Sequence, residues 1–148
     1  MKLLESKARF ESITVMIQKE VADRLCAKTG TIEAGAITYA VEYYSKARKL
    51  IEVPHTSFIP MPNVESEVII LEVRKDKDFN VKDEDMLFKV IKYAFMQRRK
   101  TLLNALQNTE LCDDKEKLKK ILNKLDIDEK IRGEALTLDE FIKITNML

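Results

Sequence analysis

The chain has 148 residues, 45% hydrophobic and 34% charged, with only three Gly and three Pro. That composition is globular and excludes a linker, a collagen-like repeat or a low-complexity segment. The formal charge is +1, with 12 cations and 12 anions in residues 1–78 and 14 and 13 in residues 79–148. A whole-chain electrostatic affinity for nucleic acid is thereby excluded, and any basic surface must be local.

The N-terminal stretch "MKLLESKARFES" has no hydrophobic segment of signal-peptide type. No apolar run approaches the ~20 residues that span a bilayer. The expectation is a cytoplasmic protein with no membrane partner. Cys26 and Cys112 lie far apart and show no metal-ligand spacing. They are read as reduced, partly buried thiols, and no metal site is expected. The single histidine, His55, follows Pro54 in a loop and is read as solvated and not catalytic.

In chain order, Leu3 and Leu4 have the character of a helix end. "SITVMIQ" (Ser12 to Gln18) is a nearly continuous β-branched apolar run, which predicts a strand buried on both faces, as in a parallel sheet. "KEVADRLCA" predicts one or two helical turns, and "KTGTIEAG" (Lys28 to Gly35) a loop. "AITYAVEYYSKA" (Ala36 to Ala47) carries a helical apolar stripe at 37, 40, 41 and 44. "RKLIEVP" (Arg48 to Pro54) predicts a short strand stopped by proline, "FIPMPNV" an extended loop and "SEVIILEV" (Ser66 to Val73) a last strand. The final two strands are separated by about a dozen residues with no helical pattern, so this pair is expected to be antiparallel.

The charged stretch "RKDKDFNVKDED" (Arg74 to Asp85) marks a change, after which every pattern is helical. "EDMLFKVIKYAFMQ" opens with acids that suit a helix N-terminus. "DDKEKLKKILNKLDI" places Leu118, Ile121, Leu122 and Leu125 on one face, and its lysines are read as a solvated face. Thr137 stands three residues before Glu140, which is the capping-box spacing. The fold class expected is α/β plus all-α. Residues 1–78 form an incomplete sheet of about three strands, and residues 79–148 a small helical domain. The glycines at 30, 35 and 133 fit no phosphate or dinucleotide loop.

Four stretches carry a family resemblance in order and spacing across essentially the whole chain. They are "MIQKEVADRL" (Met16 to Leu25), "FIPMPNVESEVIIL" (Phe58 to Leu71), "FMQRRKTLLNAL" (Phe95 to Leu106) and "IRGEALTLDEFIKITN" (Ile131 to Asn146). The second resembles an F-x-P-x-P-x-V-x-S-x-V motif and the third an F-x-Q-R-R-K-T-L-x-N segment. The chain resembles the C-terminal part of the ribosomal RNA adenine dimethyltransferases, with the macrolide-resistance-type 23S rRNA methyltransferases second. The resemblance implies the C-terminal portion of a Rossmann-like methyltransferase sheet, with residues 79–148 as an RNA-binding domain. It implies S-adenosylmethionine as cofactor of a full-length parent and dimethylation of two adjacent adenines in small-subunit rRNA, on a pre-30S particle. The Gly-rich loop and the N-L-P-Y motif of such enzymes are absent from the chain, which on this resemblance begins just after the latter. The chain alone is therefore expected to bind no cofactor and to be inactive. A non-catalytic RNA-binding module is the alternative, and self-association through an exposed sheet edge is a further expectation.

By the same resemblance Phe58 stacks on the extruded target base, on a loop stiffened by Pro60 and Pro62. Lys19, at the C-terminal end of the first strand, either lies beside the RNA substrate or forms a surface ion pair. Arg98, Arg99 and Lys100 are the main RNA-contact candidates, since arginine forks match phosphate oxygens. On an unbroken helix Arg98 would fall in the apolar stripe. Either it pairs with an acid of the last helix, or the helix breaks near Gln97. A break that restarted the helix at Arg98 would also offer backbone N–H groups to phosphate.

Overall fold

The computed structural model describes residues 2–5, 10–75, 79–107, 109–111 and 114–148. Cys112 lies outside the described residues. The chain divides into two compact units. One comprises Met1–Lys28 and Glu33–Lys77, the other Thr29–Ile32 and Asp78–Leu148.

The first unit is α/β. Helix α1 (Lys2–Glu5) precedes strand β1 (Ser12–Gln18), which runs directly into α2 (Lys19–Leu25). Helix α3 (Ala36–Tyr44) leads into β2 (Ser45–Val53), and β3 (Ser66–Val73) completes a sheet of order β1-β3-β2. Both pairings are antiparallel, as expected for the last pair. α3 ends three residues earlier than its sequence pattern suggests. Ser45 is already extended, and its Oγ caps the helix by donating to the Val41 carbonyl at 2.9 Å.

The reading of β1 as a parallel strand buried on both faces is corrected. β1 lies at the sheet edge, antiparallel to β3, and its side chains alternate between exposed and half-buried. Ile13, Val15 and Ile17 pack on the core of Ala22, Val41, Ile69 and Leu71, while Met16 on the other face is 51% exposed. An apolar run does not distinguish these cases when the outward residues, Thr14 and Met16, are themselves β-compatible. Met16 and Ile51 flank Val68 from opposite sides, so an apolar row crosses the face turned away from the helices.

The second unit carries α4 (Glu84–Met96), α5 (Leu102–Leu106), α6 (Lys115–Lys124) and α7 (Leu138–Thr145), with a 3₁₀ turn at Gly133–Ala135. The starts of α4, α5 and α6 are capped by Asp83, Thr101 and Asp114, whose side chains accept from backbone N–H groups one turn in. Thr137 and Glu140 form the predicted capping box at α7. Helices this short are marginal in isolation, and their buried leucines hold them. Leu87, Leu102, Leu106, Leu118 and Leu122 are all fully buried.

The segment Thr29–Ile32 is integral to this unit. The Thr29 hydroxyl accepts from the Leu138 N–H at 3.4 Å, and Gly30, at φ +79, sits against Thr137. Only glycine takes that conformation at low cost.

Candidate nucleic-acid interface

In the first unit the candidate residues gather at one end of the sheet. The Lys19 backbone N–H donates to the Glu65 carbonyl at 3.0 Å, tying the start of α2 to the end of the proline loop. Between them lies an open hollow of about 330 Å³, lined by Gln18, Lys19, Glu20, Asp23, Val64 and Glu65. The Lys19 ammonium pairs with Glu52 at 2.5 Å, and this hydrogen bond holds its pKa above the ordinary lysine value. Of the two sequence alternatives for Lys19, the ion pair is the one formed.

Phe58 is half-buried and extended, between a 3₁₀ turn at His55–Ser57 and Pro60. Its neighbour Ile59 is fully exposed and Met61 is 61% exposed. The loop is closed at its base by a contact that sequence reading missed. Glu65 accepts from the His55 backbone N–H at 3.0 Å and meets His55 Nδ1 at 2.7 Å. His55 is thus no free solvated side chain. The imidazole beside it holds the Glu65 carboxyl below the usual carboxylate range. The only signal was position, with the one histidine at the head of the proline loop and a carboxylate at its foot.

Behind the sheet, Lys49 bridges Asp23 and Glu67, which raises its pKa through both contacts. Glu67 is 6% exposed, and its Oε2 lies 3.1 Å from the Lys49 ammonium without an aligned hydrogen bond. Burial pushes the pKa of the nearby Cys26 thiol up, which disfavours its thiolate form.

In the second unit the basic cluster is a turn. α4 ends at Met96, Gln97 leaves the helical region, and the Lys100 N–H closes back onto the Gln97 carbonyl at 2.8 Å. The next helix begins at Leu102, with Thr101 as its N-cap. The break near Gln97 is therefore present, but the expectation of a helix starting at Arg98 is corrected. Thr101 is the residue that can cap, and the three cations precede it. The other alternative holds as well, with a different partner. Arg98 donates to Glu134 Oε2 from Nε at 3.4 Å and from a terminal nitrogen at 3.2 Å, and to the Ile32 carbonyl at 3.1 Å. Glu134 belongs to the 3₁₀ turn before α7, not to the last helix. Arg99 and Lys100 are exposed and have no side-chain partner among the described residues.

The lysines of α6 are partly engaged, Lys119 with Glu129 at 3.4 Å and Lys115 with Asn104 at 3.2 Å. Among the described residues no group of His, Cys, Asp and Glu is arranged to hold a metal ion, and no helix is long and apolar enough to cross a membrane.

The candidate residues thus form an exposed cationic turn in the second unit and, in the first, a proline-containing loop carrying Phe58 and a lysine at the sheet end. A profile of the family described as ribosomal RNA adenine dimethylase matches residues 1–146. Ribosomal RNA small subunit methyltransferase A of Alkaliphilus oremlandii is 47% identical over 148 residues, covering 100% of this chain and 52% of that protein. The protein of that name from Geobacillus thermodenitrificans is 48% identical over 151 residues, covering 100% and 51%. A solved dimethyladenosine transferase from Plasmodium falciparum superposes with a TM-score of 0.79 at 25% identity, covering 97% of this chain and 58% of that one. The 23S rRNA methyltransferase ErmE shares the fold, with a TM-score of 0.65 at 14% identity over 93% of this chain and 55% of that one. The chain thus spans about half the length of the curated relatives it matches. Over that span, it belongs to the ribosomal RNA adenine dimethylase family.

Proposed function

We propose that this chain is the substrate-facing C-terminal half of an S-adenosylmethionine-dependent enzyme that dimethylates two adjacent adenines of small-subunit ribosomal RNA. Residues 1–78 contribute the end of the methyltransferase sheet and residues 79–148 dock RNA. The observation that carries the reading is the free cationic turn at Arg99 and Lys100 in a chain of this family. Arginine and lysine there meet phosphate, which sets register without reading sequence. Phe58 stacks on the extruded adenine, a contact worth ~1–3 kcal/mol. Lys19 adds positive charge beside it once Glu52 yields.

The described residues do not fit the cofactor. A phosphate- or nucleoside-binding turn needs glycine where backbone approaches ligand. Each glycine here faces the chain's own atoms: Gly30 meets Thr137, Gly35 meets Arg24, and Gly133 meets Ala94. No step through S-adenosylmethionine is assigned to this chain. What completes the sheet is supported by β1 itself. Its register with β3 turns the backbone groups of Ser12, Thr14, Met16 and Gln18 outward, and the strand carries neither a charge nor a proline. An edge so unguarded is built to be covered.

The test is transfer of labelled methyl from S-adenosylmethionine to undermethylated small-subunit particles. The chain alone should transfer none, and co-expression with the Gly-rich half of a relative should restore dimethylation of the paired adenines. Methyl transfer by the chain alone would overturn the division of labour. Failure to bind the particle at all would leave the family membership intact but remove the docking role.

A further inference from the structure

We propose that Arg98 is a positioning residue rather than a phosphate ligand, and that Glu134 with the Ile32 carbonyl forms the latch that aims Arg99 and Lys100 at RNA. The inference rests on the RNA-docking reading above, and divides the labour among three adjacent cations that sequence treats alike.

The local geometry separates them. The turn from Gln97 to Lys100 is held internally by one backbone bond, Lys100 N–H to the Gln97 carbonyl at 2.8 Å. A single bond in an exposed turn leaves its side chains undirected, because such a bond contributes only about 1 kcal/mol net. Arg98 adds three contacts to two other segments, two to Glu134 and one to Ile32. Glu134 is itself fixed. Its side chain is only 17% exposed, and Gly133 before it is pressed onto Ala94 in the last turn of α4. A planar guanidinium can serve a carboxylate and a carbonyl together, which an ammonium cannot do with the same geometry. With Arg98 committed, its two exposed neighbours are left without a side-chain partner among the described residues.

The latch makes a prediction opposite in sign to simple electrostatics. Glu134→Gln removes a negative charge beside the RNA-binding turn, which on charge alone should tighten binding. If Glu134 aims the turn, the same substitution weakens binding.

The experiment measures affinity of the full 148-residue chain for a transcript of the 3′-terminal small-subunit rRNA hairpin, across a salt series. Thermal unfolding of each variant is followed alongside. Arg99→Ala should weaken binding about tenfold, the loss of one charged hydrogen bond, and flatten the log–log salt slope by about one. Glu134→Gln should weaken binding about threefold or more and also flatten the slope, with unfolding well above the assay temperature. Asp139→Asn, which removes a negative charge elsewhere in this unit, should not weaken it. Arg98→Lys, which keeps the charge but not the fork, should behave like Glu134→Gln. Tighter or unchanged binding in Glu134→Gln, or wild-type binding in Arg98→Lys, overturns the latch while leaving RNA docking in place. Wild-type affinity in Arg99→Ala overturns the docking reading itself, and the latch with it.

Discussion

Gly133 lies directly against Ala94, and a Cβ added at Gly133 would come within 2.8 Å of the Ala94 Cβ. Real side chains do not approach so closely, so either α4 or the 3₁₀ turn must move. Gly133→Ala should destabilise the chain by about 1–3 kcal/mol, the usual cost of overpacking. It should also pull Glu134 away from Arg98, because Gly133 and Glu134 are adjacent in the same turn. Urea unfolding gives the first quantity. An unchanged midpoint would mean that the contact relaxes freely.

The capping box at α7 is a second point where one side chain serves several partners. The Thr137 N–H donates to Glu140 Oε2 at 2.7 Å, and the Glu140 N–H donates to the Thr137 hydroxyl at 3.3 Å. Thr137→Ala should cost about 0.5–2 kcal/mol, and Thr137→Ser much less, because the hydroxyl is what caps. Equal losses in the two variants would assign the effect to packing of the Thr137 methyl on Gly30.

This box was legible in the sequence because it is local. A hydroxyl three residues before a carboxylate reports its own geometry, as does the proline loop that ends β2. The antiparallel β2–β3 pair was legible from what the connection lacks, a helix long enough for a crossover. Other features are not written locally. Whether "SITVMIQ" is a central or an edge strand depends on neighbours that no run of side chains specifies. Arg98 shows the same limit at the candidate site. Its spacing in the apolar stripe announced a conflict, and the two obvious resolutions looked exclusive. The fold uses both, since the helix break swings Arg98 out of the stripe and the 3₁₀ turn at Gly133–Ala135 brings a carboxylate to it. Glu134 is 36 residues away and carries no mark that would select it among the acids of this half.

The His55–Glu65 pair predicts a pH dependence for the Phe58 loop. The folded-state pKa of Glu65 is depressed, chiefly by its hydrogen bond to His55. A depressed carboxylate contributes stability above its unfolded value, about 4.3 for glutamate, and loses it as pH falls through the folded value. The clasp should therefore persist at neutral pH and through about pH 5, and release only below the ordinary glutamate range. Carbon-detected NMR titration of Glu65 tests this, with the His55 amide shift expected to follow the same curve. A Glu65 titration at or above the free-glutamate value would show that the clasp does not form in solution.

The open edge of β1 makes a register-specific prediction. Bonds from Lys19 N–H to the Glu65 carbonyl and from Val73 N–H to the Glu11 carbonyl fix which residues of β1 face β3. In an antiparallel ladder the hydrogen-bonded pairs alternate. Val15, opposite Ile69, thus turns its N–H inward, and Thr14, opposite Ile70, turns its own outward. Proline removes that N–H, so it is tolerated at an edge only where the group faces away from the partner strand. Val15→Pro should therefore be more destabilising than Thr14→Pro by about 1–3 kcal/mol, the cost of leaving a buried carbonyl of β3 unpaired. Thr14→Pro has a second consequence, because it blocks the outward edge to any added strand. In the two-part methyl-transfer assay it should reduce recovery of activity, while urea unfolding of the chain alone changes little. Full recovery with Thr14→Pro would show that the other half of the fold does not join at β1.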